Sequence, residues 1–266
     1  MTLRTISLSA ARLLIGLMAF FHLGASAQSR SFYQLKIYHL STPQQEQNLD
    51  EFLGKAYLPA LHRAGISKVG VFKPIPGANK DPQDGQRVYV FVPYSSYKQF
   101  TGLDARLAKD GIYQEAGSAY LNAPHSAPPY ARIETILMNA FEGSPHVEMP
   151  NLSGPRSERV YELRSYEGPT EALYRNKVDM FNKGDEIGLF RRLGFNAVFY
   201  GEVISGSRMP NLMYLTTFEN KQSRDAHWDA FGKDAYWKEL SAKPEYQNNV
   251  SRNQQIFLYP TEYSDL

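Results

Sequence analysis

Residues 32–40 read FYQLKIYHL and residues 160–168 read VYELRSYEG. With Tyr33 set against Tyr161, both give an aromatic, a polar residue, Leu, a basic residue, a variable position and Tyr. Side chains of two kinds alternate along each, the period of two that marks a strand with one face turned to a core. Two further matches follow in the same order. AGISKVGVFKPI from Ala64 answers LGFNAVFYGEVI from Leu193, and VYVFVPYSSY from Val88 answers LMYLTTFENK from Leu212. Three ordered matches make the chain an internal duplication.

Working outward, each copy reads strand, helix, strand, strand, helix, strand. In the first, Leu49, Phe52, Leu53, Ala56 and Leu61 recur at helical steps, and Pro59 is expected to kink or divide that helix. Ser96–Leu107 reads as a second helix and Ala131–Phe141 as the closing strand. In the second copy Leu173, Met180 and Ile187 share one helix face, Gly184 marks a break, and Gly194 sits where a helix stop is wanted. Ser223–Leu240 then gives a helix and Asn253–Tyr259 the last strand.

That order is the ferredoxin-like βαββαβ unit, an antiparallel sheet with helices on one face only. The free faces of two such sheets can cover each other. The expected fold is therefore α+β, two tandem ferredoxin-like units packed as an intrachain sandwich-barrel or as a dimer of such pairs. Residues 28–142 form the first unit, 143–158 a linker and 159–266 the second.

Of 266 residues, 29 are Lys or Arg and 27 are Asp or Glu, and 42% are hydrophobic. This is an ordinary globular balance, and it argues against a protein that binds nucleic acid by neutralising many phosphates. The absence of Cys rules out disulfides, thiolate metal sites, iron–sulfur clusters and a cysteine nucleophile. Residues 1–27 have the order of a secretory signal peptide: Arg4 and Arg12, an apolar run Leu13–Gly24, then Ala25-Ser26-Ala27 for cleavage. The run is shorter than the ~20 residues a spanning helix needs. The expectation is a periplasmic or secreted protein, with no membrane span once the signal is removed.

The second copy also resembles a known family. Tyr161, Leu163, Arg164 and Tyr166 in the opening strand, with Arg224, Asp225, Trp228 and Trp237 in a later helix, resemble the NIPSNAP domain over about 100 residues. The first copy is similar more loosely: Lys36 stands for the strand arginine, and the Arg-Asp-x-x-Trp segment is absent. The resemblance implies the dimeric α/β-barrel superfamily, which includes small monooxygenases, isomerases and haem-handling enzymes. It implies no assigned reaction, because fold does not carry function with it.

Period-two geometry puts Tyr161, Leu163 and Ser165 on one strand face and Glu162, Arg164 and Tyr166 on the other. With helices over the first face, Glu162, Arg164 and Tyr166 would point between the sheets, joined by Lys36 and Tyr38 from the first copy. Ionisable groups aimed into a closed space need partners. They form either a pocket in which Arg164 grips an anionic or carbonyl-bearing ligand or a network that satisfies itself. Arg224 and His227 complete the candidate binding set. His227 is a general base, an axial haem ligand or a plain helix-surface histidine; the aromatic stripe around Trp228 and Trp237 reads as core. No metal-ligand spacing, nucleophile elbow or phosphate loop occurs, so no metal, cofactor or catalytic residue is assigned. Two functions remain: binding of a small organic molecule between the sheets, with cofactor-independent oxygenation or isomerisation as its enzymatic form, or a non-catalytic interaction module, with a homodimer compatible with either.

Overall fold

The two quoted strands are β1 (Phe32–His39) and β5 (Val160–Glu167), each inside its half of the sheet. In the computed structural model, which describes residues 29–80 and 86–266, β1 pairs with β3 (Arg87–Tyr94) and β4 (Arg132–Ala140). Likewise β5 pairs with β7 (Asn211–Phe218) and β8 (Arg252–Pro260), all antiparallel. The remaining strands, β2 (Gly70–Pro74) and β6 (Phe199–Ser205), pair with β3 and β7. The signal-peptide reading of residues 1–27 lies outside the described residues.

Each half is thus a four-stranded ferredoxin-like sheet, and among the described residues its edge strands are paired with the other half. β2 pairs with β8 through Phe72 and Pro260, and β6 pairs with β4 through Gly201 and Ala140. Among the described residues eight strands close into one barrel, in the order β1-β3-β2-β8-β5-β7-β6-β4. The two seams are equivalent under the duplication, so one chain supplies both sheets of the barrel and needs no second copy to complete it.

Local chemistry repeats with the fold. Thr42 caps α1 (Pro43–Phe52) through Gln45 N, and Thr170 caps α6 (Glu171–Asn182) through Leu173 N. Ser96 and Asn220 do the same for α3 (Tyr97–Leu107) and α8 (Lys221–Lys233). Gly65 and Gly194 end α2 (Leu58–Arg63) and α7 (Glu186–Arg192) at φ of 76° and 74°, a left-handed turn that suits glycine.

The helix with Pro59 is divided by a π-helical turn, Leu53–Tyr57, between α1 and α2, and Pro59 follows that turn in backbone that stays helical. Three details differ from the sequence reading. The helix expected over 223–240 is two, because Asp234 accepts from Tyr236 N and Trp237 N and starts α9 (Ala235–Ala242). Short helices α4 (Gly111–Ala116) and α5 (Ser118–Leu121) were not anticipated. The inter-half stretch is also packed: Val147 is buried, and Arg156 Nη2 donates to the carbonyls of Thr261, Ser264 and Leu266 at 3.1, 2.8 and 2.9 Å.

The barrel core joins both halves. Tyr33, Leu35, Tyr89 and Phe91 of the first meet Tyr161, Leu163, Phe199 and Met213 of the second. Two further apolar layers lie outside it, one under the helices of each half. This corrects the expected facing. Tyr161 and Leu163 point into the barrel, and Glu162, Arg164 and Tyr166 lie between the sheet and its helices. The physical reason is partner supply: α8 brings cations and an indole N–H to Glu162, whereas the barrel interior around Tyr161 is largely apolar.

Candidate functional site

Glu162 is fully buried, and its carboxylate is surrounded by donors. Arg164 Nε lies 2.6 Å from Oε1, Arg224 Nε 2.7 Å from Oε2 and Arg224 Nη2 2.9 Å from Oε1. Trp228 Nε1 donates to Oε2 at 2.8 Å, and Gln255 Nε2 donates to Oε1. The Arg164 guanidinium stacks on the Trp228 ring at 3.9 Å. Its Nη1 donates to the Tyr166 hydroxyl at 3.1 Å, which pairs with Tyr214 at 2.8 Å. Beside them Lys177 and Glu186, both buried, pair at 2.8 Å.

The sequence-predicted residues Glu162, Arg164, Tyr166 and Arg224 therefore do meet, as a self-satisfied network. Lys36 and Tyr38 do not join it. They occupy the equivalent layer of the other half, with the Lys36 ammonium 5.3 and 5.1 Å from the Tyr38 and Tyr57 ring centres. His227 is also apart: its Nδ1 lies 2.6 Å from Ser223 O, and its ring packs on Phe195 and Phe218. Neither the network nor His227 opens on the barrel interior.

Burial alone would raise the Glu162 carboxyl, but Arg224 and Arg164 overcome it and hold the group below the usual carboxylate range. Burial wins at Glu186, which is raised despite Lys177. A depressed carboxyl stabilises the fold above its unfolded value, ~4.3, and that contribution is lost as pH falls through the folded value. Glu186 has the opposite sign. Urea unfolding between pH 3 and 7 should show wild-type stability falling faster below about pH 4.5 than that of Glu162→Gln. Parallel curves would refute the assignment.

The barrel itself is filled unevenly. At one end Tyr33, Phe91 and Phe199 pack ring to ring at 4.5 to 5.6 Å, and Phe72 meets Tyr161 at 5.1 Å. At the other end lies a cavity of about 140 Å³. Its apolar wall is Ile37, Leu163, Val203, Met213 and Ile256, and its polar positions include His39, Glu134, Ser165, Arg208, Asn211 and Gln254. His39 and Glu134 pair at 3.2 Å, and Asn211 Nδ2 donates to Ser165 Oγ at 2.9 Å. These residues come from six strands and the β6–β7 turn, so no single motif announces them. The available signal was parity: Ile37, Leu163, Ser165, Asn211 and Met213 share the strand face of Tyr33 and Tyr161. Among the described residues no group of His, Asp or Glu has the makings of a metal site, and no helix is long and apolar enough to cross a membrane.

Residues 160–265 match the NIPSNAP family model. No curated protein matches the sequence. Among solved structures, a provisionally named monooxygenase from Lactobacillus acidophilus superposes with a TM-score of 0.58 at 11% identity, over 87% of this chain and 94% of that one. Another so named, from Fusobacterium nucleatum, gives 0.55 at 8% identity over 88% and 93%. An anthrone oxidase-like protein gives 0.52 at 12% identity over 88% and 93%. At these identities the likeness shows the fold alone. The chain is an α+β protein of the dimeric α/β-barrel type, and its residues 160–265 are a NIPSNAP domain.

Proposed function

We propose that the chain is an exported binding protein for a small organic molecule, held in the barrel-end cavity between the two sheets. Cofactor-independent oxygenation or isomerisation is the enzymatic form of this reading. The observation that carries it is the uneven filling of the barrel. One end is closed by stacked rings, while the other keeps a space of about 140 Å³ with an apolar wall and several polar groups. Ligand sites combine an apolar lining with a few fixed polar groups. A space of ~150 Å³ takes a six-membered ring. The neighbours named for monooxygenase and oxidase chemistry, with the same fold, are consistent with a small organic substrate.

The Glu162 network supports the reading indirectly, because its carboxylate is already taken by five donors and lies on the opposite face of β5 from the cavity. The test is native mass spectrometry of protein purified without denaturation. Wild type should carry a small molecule, and Met213→Trp, which fills the cavity from its wall, should lose it while staying folded. Retention of the same mass by Met213→Trp would place the ligand elsewhere.

A further inference from the structure

The cavity adjoins a second one of about 440 Å³, and Arg208 and Gln254 line both. The outer cavity adds Lys80, Arg252 and the amides of Asn253 and Gln255. Among the described residues of the two linings, Arg208, Arg252 and Lys80 are cations and Glu134 is a carboxylate. Glu167 stands behind them, 3.3 Å from Arg208 Nη1 and 3.9 Å from Arg252 Nε. One carboxylate shared by two guanidiniums leaves a net positive charge, and Glu134 is turned to His39 and Ser207. Two guanidiniums that share one carboxylate thus stand beside an apolar cavity. Such a cleft attracts anions, and guanidinium forks favour carboxylates.

A second polar element lies in the same wall. Asn211 is 3% exposed; its Nδ2 donates to Ser165 Oγ, while its Oδ1 is buried without a partner. Turning the amide over only exchanges which end is unpaired. A hydroxyl, being donor and acceptor, completes either arrangement. We infer that the ligand is a small ring carboxylic acid bearing a hydroxyl group. Its carboxylate meets Arg208 and Arg252, its ring lies on Leu163, Met213 and Ile256, and its hydroxyl reaches the Asn211–Ser165 pair. This rests on the cavity reading proposed above.

The test is calorimetric titration with 4-hydroxybenzoate, benzoate and 4-hydroxybenzamide, run on wild type and on Arg208→Gln, whose side chain is 40% exposed. Wild type should bind 4-hydroxybenzoate about tenfold tighter than either analogue. Arg208→Gln should erase the preference for acid over amide, weakening the acid about tenfold more than the amide. Equal binding of acid and amide, or an Arg208→Gln protein that keeps the preference, overturns the acid assignment. Failure of all three compounds overturns it as well. If Met213→Trp still loses its native ligand in that case, the cavity reading stands without the acid; if Met213→Trp retains it, both fall.

Discussion

Glu162→Ala should lower the free energy of unfolding by about 3–5 kcal/mol, the cost of removing one partner from a buried ion pair. The substitution strips the acceptor from Arg164, Arg224, Trp228 and Gln255 together. Two guanidiniums, each with a side chain no more than 14% exposed, are then left side by side with no counter-charge between them. Their repulsion should push α8 off β5, because that carboxylate is the acceptor that holds both Arg224 and Trp228 to the strand. Equilibrium urea unfolding checks the value. A loss below about 1 kcal/mol would mean that water replaces the carboxylate readily and that the layer is looser than its geometry indicates. The cavity is lined by the opposite face of β5, so a ligand that still binds folded Glu162→Ala would separate the network from the site.

Phe91→Ala should cost a similar amount, about 3–5 kcal/mol, by another route. Phe91 is fully buried, stacked on Phe199 at 4.5 Å and tilted against Tyr33 at 5.1 Å. It belongs to the first half and Phe199 to the second, so the stack joins the two sheets across the barrel. Truncation leaves a void that rigid strands hydrogen-bonded on both sides cannot collapse into. Thermal and urea unfolding should both show the loss. A cost near that of a surface substitution, within about 0.5 kcal/mol, would contradict a filled barrel end.

Much of this architecture was legible because the chain states it twice. The matching strands at Tyr33 and Tyr161, the glycine stops at Gly65 and Gly194 and the break at Gly184 are local signals, and they fixed the order of elements. The facing of β5 was not legible. Its Tyr161 and its Glu162 are both fully buried, so alternation separates two faces without saying which looks inward. Polarity suggested that Glu162 and Arg164 faced a ligand. The deciding fact was the arrival of Arg224 and Trp228 from a helix some 60 residues later, a tertiary event with no trace in the strand. The cavity was hidden for a related reason: Ile37, Leu163, Met213 and Ile256 look like any core residues until closure of the barrel leaves a gap between them.

Methyl NMR of Ile and Met residues, comparing natively purified protein with the same protein unfolded, stripped and refolded, tests the cavity most directly. Ile37, Ile136, Met213 and Ile256 line it, whereas Met180 and Ile187 lie with the helices of the second half. Loss of the bound molecule should shift the first four and leave the other two in place. Shifts confined to Met180 and Ile187 would put the ligand in the helix layer beside Arg164, and the barrel-end site would be wrong.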